Sequence, residues 1–162
     1  RPGCRLSSLL RGGGQEQGRR AGTENLVGIA GFGGAADDAL GDISHYQTMA
    51  KWRDDFERRM LDQRSGIAVF GREAPRLGNT SCIAALGKAA ETMVMAFDIA
   101  GVAISAGSAC SSGKVKPSHV LESMGAGPRA GEAIRISGGW ATTQSDFETL
   151  ADVFLQLYKQ PA

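Results

Sequence analysis

The sequence predicts a layer sandwich of the α/β or α+β class, in which short strands alternate with helices. Two observations support this fold class: short apolar runs are bounded by glycine and polar residues, and longer segments place apolar residues at helical spacing. The strand-like runs cover residues 67–70, 80–86, 102–105 and 133–137. The helical segments cover residues 23–41, 43–64, 89–100, 117–125 and 144–158.

The first 22 residues predict an irregular segment, because they are rich in glycine and arginine and offer few side chains for a core. Helical character begins at Thr23, whose hydroxyl suits a helix N-cap, and Gly41 is expected to interrupt this helix. The next helix, 43–64, combines an apolar face with a densely charged face, and Gly66 ends it.

The second half of the chain carries equally clear boundary signals. A glycine- and serine-rich loop is predicted at 106–113, directly before a helix. Pro117 is favourable in the first turn of that helix, and Gly125 ends it. Thr143 and Asp146 have the spacing of a capping box, so the last helix is expected to begin there.

Composition limits the function classes. The 162 residues carry a formal net charge of +1, so there is no basic excess for nucleic acid. No apolar run approaches the roughly 18 residues of a membrane span. Cys4, Cys82 and Cys110 form no CxxC pair, and the two histidines lack ligands at metal-binding spacing, which argues against a metal site or a disulfide framework. We therefore expect a cytoplasmic protein without a nucleic-acid or membrane partner.

The segment 31–36 matches the glycine pattern GxGxxG/A of dinucleotide-binding folds. That fold needs a preceding strand and an acidic residue at a strand end about 20 positions later. Asp54 and Asp55 lie near that distance, but they belong to the charged helical segment. We interpret the small residues of 31–36 as a surface that lets a helix pack closely.

Two cysteines lie in contrasting contexts. Cys110 is flanked by small residues in the predicted loop, and Lys114 and Lys116 would favour its thiolate, which is the nucleophilic form. A reactive thiol and a plain small residue in a surface loop are both compatible with this context. Cys82 lies in the apolar run 81–86 and is expected to be a buried core residue.

Arg135 and Thr23 are candidate anion ligands. Arg135 interrupts a short apolar strand, and its planar guanidinium fits a carboxylate in a two-pronged arrangement. The alternative is an exposed arginine on an edge strand. Thr23 could bind a phosphate through its hydroxyl and the amides of the helix start, or it could simply cap the helix.

Three motifs follow one another along the chain and together cover nearly all of it. They are GGGQEQGRRAGTEN at 12–25, SAGSACSSG at 105–113 followed by PSHVL at 117–121, and IRIS at 134–137 before Thr142 and Thr143. In this order they resemble the motifs of cysteine desulfurases, and the context of Cys110 is similar to the first group of that family, the NifS/IscS-like group.

The resemblance implies the C-terminal portion of a pyridoxal phosphate (PLP) enzyme of fold type I, in the class-V aminotransferase family, which is usually homodimeric. Residues 1–43 would end the large PLP domain, and residues 44–162 would form the small C-terminal domain. Cys110 would be the nucleophile that takes sulfur from L-cysteine, leaving L-alanine and a persulfide. Arg135 would hold the substrate carboxylate, and Thr23 would donate to the PLP phosphate of the partner subunit.

The same resemblance implies a sulfur acceptor or iron–sulfur scaffold protein as a partner. The lysine that binds PLP in the family belongs to a motif upstream of the glycine-rich segment, and none of the five lysines here has a matching context. We therefore expect the chain by itself to be inactive. The alternatives are a non-catalytic dimerisation or acceptor-binding module, another PLP enzyme such as a selenocysteine lyase or an aminotransferase, and a Cys–His hydrolase using His119.

Overall fold

A computed structural model describes residues 7–107 and 117–158. The chain divides into two compact units, Arg1–Gly41 and Asp42–Ala162. The described part of the first unit contains two elements, the helical turn α1 (Gln15–Gly18) and helix α2 (Leu26–Gly41). Glu16 and Gln17 in α1 have φ angles of 52° and 58°, in the left-handed region that residues other than glycine rarely adopt.

Helix α2 begins later than the sequence predicts. The side-chain Oδ1 of Asn25 accepts a hydrogen bond from the backbone N–H of Gly28 at 3.1 Å, so Asn25, and not Thr23, provides the N-terminal cap. The glycine motif 31–36 lies inside this helix, as predicted, but its residues are exposed, so the close packing expected of them stays a prediction. The described residues before α2 contain no strand, so the structure required for dinucleotide binding is not formed there.

The second unit is a four-stranded antiparallel sheet with helices packed on it. The strands lie in the order β1-β2-β4-β3. Their bounds are β1 Ile67–Val69, β2 Thr80–Ala85, β3 Ser105–Ala106 and β4 Ala133–Ser137. The helices are α3 Ile43–Gln63, α4 Ala90–Ile99, α5 His119–Ser123 and α6 Gln144–Leu157, with a 3-10 helix at Gly127–Gly131.

The core fills the space between one face of the sheet and helices α3, α4 and α6. Strand residues alternate between the two faces, so every second side chain of β2 and β4 enters this core. Phe154 of α6 lies at the centre, with ring contacts to Phe56, Phe97 and Tyr158. The other fully buried large apolar residues are Met49, Met60, Ile83 and Ile134.

Two predictions need correction. The strand predicted at 102–105 is instead Ser105–Ala106, because the N–H of Val102 bonds to the carbonyl of Phe97 in the turn that ends α4. Cys82 is half-buried on the outer face of the sheet, not in the main core. Of the helices in the described part of the chain, none combines the length and the apolar character needed to cross a membrane.

Candidate functional site

Arg135 lies in the middle of β4, which is an inner strand of the sheet between β2 and β3. Its side chain is exposed, whereas its neighbours Ile134 and Ile136 are buried in the core. The strand alternation therefore directs Arg135 to the outer face. The alternative interpretation of Arg135 as an edge-strand residue is wrong.

Neutral polar side chains surround Arg135 on this face. Cys82 of β2 is its register partner on one side, and Ser105 of β3 is its partner on the other. Further along β2 and β4, the hydroxyls of Thr80 and Ser137 lie 3.2 Å apart. Both register partners of the guanidinium are thus neutral side chains.

The salt bridges formed among the described residues do not include Arg135. An exposed guanidinium that no neighbouring carboxylate compensates is available to an anionic ligand. Its two parallel N–H groups fit the two oxygens of a carboxylate. The outer face can therefore bind a carboxylate at Arg135.

Described residues of α5 and the 3-10 helix cover part of the outer face. Leu121 of α5 and Ala130 of the 3-10 helix pack on Ala84 and Ala133, and Cys82 lies at the margin of this small cluster. Arg135 and Ser137 remain exposed beyond it. The candidate site is the part of the outer face, around Arg135, that the other described residues leave exposed.

The register that brings Cys82 opposite Arg135 is fixed at the end of the strands. Asn79 and Gly138 exchange two hydrogen bonds: the Asn79 side-chain amide donates to the Gly138 carbonyl at 2.8 Å, and the Gly138 N–H donates to the Asn79 carbonyl at 2.8 Å. On the core face, the buried Ser81 hydroxyl donates to Glu57 at 2.6 Å. The Asn79–Gly138 bonds hold β2 and β4 in this register, and the Ser81 bond ties β2 to α3.

Cys82 stays protonated more readily than a free thiol. Burial raises the pKa of the thiol, and the nearby charge of Arg135 opposes this effect to a smaller extent. The neighbour of Arg135 on β2 is therefore a neutral group, and it does not compensate the positive charge.

Cys110 lies outside the described residues. The two ends of its segment are described: a Cβ atom added to Gly107 would lie 3.0 Å from the Cβ of Ser118. This close approach requires a very small residue at 107. Ser118 also caps α5, because its hydroxyl accepts a hydrogen bond from the N–H of Leu121 at 3.4 Å.

Thr23 lies in the first unit, and its side chain is exposed. The Arg20 guanidinium donates to the Thr23 carbonyl at 2.5 Å, and Gly22 adopts a φ of 91°, which favours glycine. Three site residues were predicted. Cys110 lies outside the described residues, Thr23 belongs to the first unit, and Arg135 belongs to the second.

Sequence reasoning missed Cys82 and Ser105 as neighbours of Arg135. Both are small residues in short apolar or glycine-rich runs, and neither carries a signal for the site by itself. Their role depends on strand register, which joins positions far apart in the chain. Among the described residues, no group of three or more His, Cys, Asp or Glu side chains could hold a metal ion.

Comparison with known proteins decides the family. Residues 9–150 match the model of the family described as aminotransferase class-V. The chain belongs to the aminotransferase class-V family. Among its class-V relatives, cysteine desulfurases from Cereibacter sphaeroides and Gluconacetobacter diazotrophicus are 39% identical over 161 residues and 41% identical over 155 residues.

A solved structure gives the same result. The NifS-like protein from Rickettsia africae matches with a TM-score of 0.80 and 30% sequence identity, over 96% of this chain and 41% of that protein. These findings confirm the resemblance to cysteine desulfurases and the predicted fold class. The alignments cover 99% of this chain and 41% of the Cereibacter relative, and 94% and 39% for the Gluconacetobacter relative. The chain thus spans about two fifths of the length of these relatives.

Enzymes of this family use PLP in general, and the described residues fit only part of that cofactor. Thr23, next to a glycine with positive φ, offers an exposed hydroxyl that could contact a phosphate. The described lysines, Lys51 and Lys88, are exposed and lie outside the strands that carry Arg135. The described residues therefore include a candidate phosphate contact but no lysine on the face of Arg135.

Proposed function

We propose that this chain is the sulfur-accepting part of a PLP-dependent cysteine desulfurase. The observation that supports this most is Arg135, an uncompensated guanidinium on an inner strand, in a chain whose relatives are cysteine desulfurases. L-Cysteine carries the carboxylate that such a group binds. The proposed reaction converts L-cysteine to L-alanine and leaves the sulfur on the protein.

In this proposal Arg135 binds the α-carboxylate of L-cysteine through two parallel hydrogen bonds. The neutral side chains on either side, Cys82 and Ser105, leave its charge free for that task. Two-pronged binding also fixes the orientation of the substrate, which matters because the reaction requires the sulfur atom to meet a nucleophile.

Cys110 is the proposed nucleophile. Its thiolate attacks the sulfur of the substrate, the carbon–sulfur bond breaks, and the carbon takes up a proton to give L-alanine. A persulfide remains on Cys110, so L-cysteine and one protein thiol become L-alanine and one protein persulfide. Cys110 follows Ser105 by five residues, and five residues reach at most about 18 Å.

When bound, PLP would withdraw electrons from the substrate Cα and so make the carbon–sulfur bond easier to break. The proposed contact for its phosphate is Thr23 of the partner subunit, which makes the enzyme a homodimer. The persulfide then passes to an acceptor protein, for iron–sulfur cluster assembly or for thiolation, in the cytoplasm. Because none of the five lysines has the context of the PLP lysine, we propose that the chain by itself does not turn over L-cysteine.

A hybrid enzyme tests the proposal. In the Cereibacter sphaeroides cysteine desulfurase, the segment matched by this chain is replaced with this chain. With PLP and L-cysteine, the hybrid is expected to form L-alanine and transferable sulfur. Cys110→Ser is expected to abolish sulfur transfer while PLP absorbance is retained. Arg135→Gln is expected to raise KM for L-cysteine at least tenfold, as the loss of a charge-assisted bidentate pair implies.

Sulfur transfer that persists in the Cys110→Ser hybrid would contradict the proposed nucleophile. The chain alone, incubated with PLP, L-cysteine and a reductant, is expected to give neither L-alanine nor sulfide above a PLP-only control. Turnover by the chain alone would show that one of its own lysines binds PLP.

A further inference from the structure

Three side chains form a row across the outer face of the sheet. Cys82 on β2, Arg135 on β4 and Ser105 on β3 are register partners, so their side chains point the same way. Directly opposed residues of antiparallel strands have Cβ atoms about 4.5–5.5 Å apart. A group at position 82 is therefore among the nearest neighbours of the Arg135 side chain.

A carboxylate at position 82 would pair with Arg135. Opposite charges on directly opposed strand residues attract each other, and they compete with any external ligand of the same sign. The chain has a half-buried thiol at this position instead. Its other side packs against the cluster of Ala84, Leu121, Ala130 and Ala133, which limits its access to water.

We propose that Cys82 is a specificity-determining residue of the Arg135 subsite: as a neutral group opposite the guanidinium, it keeps the positive charge free and makes the subsite select substrates that carry a carboxylate. This inference rests on the proposed function, because the carboxylate in question is that of L-cysteine. Burial raises the pKa of this thiol, which agrees with a neutral role and not with a second nucleophile.

The first test changes the charge at position 82 in the hybrid enzyme. Cys82→Asp is compared with Cys82→Asn, which has the same size and no charge. The measured quantity is the ratio of kcat/KM for L-cysteine to kcat/KM for L-cysteine methyl ester, which lacks the carboxylate. We expect the Asp variant to show a ratio at least tenfold below that of the Asn variant, mainly through KM for L-cysteine.

Leu86→Asp is the control for net charge. Leu86 is exposed and lies beyond the end of β2, so this substitution changes the charge of the protein equally at a position that is not a register partner of Arg135. The Leu86→Asp hybrid is expected to show the same ratio of kcat/KM for L-cysteine to kcat/KM for the methyl ester as the unsubstituted hybrid. Equal ratios in Cys82→Asp and Cys82→Asn would overturn the proposal, since a merely structural effect of position 82 would not depend on the substrate carboxylate.

The second test needs no desulfurase activity and uses the 162-residue chain. In a Cys4→Ser/Cys110→Ser background, the pH dependence of alkylation by iodoacetamide reports the pKa of the Cys82 thiol. Arg135→Gln is expected to shift this pKa upward, because the arginine charge favours the thiolate. An unchanged pKa would show that Cys82 does not face Arg135 and would overturn the proposal.

The two tests separate the inference from the proposed function. A hybrid that binds PLP but forms no L-alanine contradicts the proposed function, and the thiol titration still decides whether Cys82 and Arg135 are neighbours. An active hybrid in which Cys82→Asp keeps full preference for L-cysteine contradicts the role of Cys82 alone.

Discussion

Glu57 of α3 and Arg76, in the connection between β1 and β2, form a two-pronged ion pair inside the second unit. Nη1 of Arg76 lies 2.7 Å from Oε1 of Glu57, and Nη2 lies 2.6 Å from Oε2. The Glu57 side chain is 1% exposed, and it also accepts a hydrogen bond from the hydroxyl of Ser81. The hydrogen bond to Glu57 raises the pKa of Arg76. The pair therefore joins α3 to the chain before β2, and Ser81, which donates to Glu57, is the neighbour of Cys82 in the sequence.

The first prediction concerns this ion pair. Arg76→Ala leaves a buried carboxylate without its cation, so the free energy of unfolding should fall by about 3–5 kcal/mol. Urea unfolding followed by circular dichroism measures the change. The control is Arg58→Ala, which removes an exposed pair with Asp55 and should cost at most about 1 kcal/mol. Similar losses in the two variants would contradict the burial of Glu57.

Two adjacent glycines provide a matched test of packing behind the site. A Cβ at Gly138 would lie 2.4 Å from Sδ of Met49, which is fully buried, whereas a Cβ at Gly139 would meet no atom within 4 Å. Gly138→Ala should therefore destabilise the protein by about 1–3 kcal/mol, the usual cost of overpacking. Gly139→Ala should cost much less. Thermal unfolding of both variants measures the two losses of stability. Equal losses would show that Met49 moves aside freely.

The capping box of α6 predicts a pH dependence. The N–H and the hydroxyl of Thr143 both bond to the carboxylate of Asp146, and the backbone bond contributes most to lowering the pKa of this group below 3.8. A carboxyl with a lowered pKa stabilises the fold above its unfolded pKa, and this stability is lost as the pH falls through the folded pKa.

Asp146→Ala should consequently lower Tm at pH 7, and the difference from the unsubstituted protein should shrink once the pH falls below 3.8. Thermal unfolding of both proteins between neutral and strongly acidic pH measures this difference in Tm. Thr143→Ser keeps both donors and should preserve Tm at pH 7. A difference that stays constant down to the lowest pH would mean that the charge of Asp146 does not contribute.

The aromatic centre of the core supplies the last prediction. Phe154 is 0% exposed and contacts three other aromatic rings. Phe154→Ala should reduce the free energy of unfolding by about 3–5 kcal/mol, because a large cavity remains. Trp140→Ala removes a larger side chain that is 77% exposed, and it should change stability little. A comparable loss from Trp140→Ala would place that tryptophan in a contact that the described residues do not form.

Elements with local boundary signals were predictable from the sequence. The helix predicted at 43–64 is observed as Ile43–Gln63, the strand predicted at 133–137 is observed unchanged, and the capping box begins α6 as expected. Arg135 was recognisable as a candidate anion ligand, because a charged residue inside an apolar strand needs a special environment. These features depend on residues that are close in sequence.

Features that depend on tertiary pairing were not predictable. Cys82 stands in a run of apolar residues that hides the alternation of the strand, because the small cluster around Leu121 buries part of the outer face as well. Its position opposite Arg135 follows from the β2–β4 register, which no local pattern specifies. The partner of Glu57 was equally hidden, since Arg76 lies in a loop 19 residues away.

The strand pairing that builds the candidate site also constrains how the protein folds. Thr80 and Ser137 are 57 residues apart in the chain, and Asn79 and Gly138 are 59 apart. The entropy of closing such a long loop must be overcome before the contacts can form, which makes non-local strand pairing slow. We expect the outer face around Arg135 to form late in folding. During synthesis it cannot form before β4 has left the ribosome, so an incomplete chain would lack the candidate site.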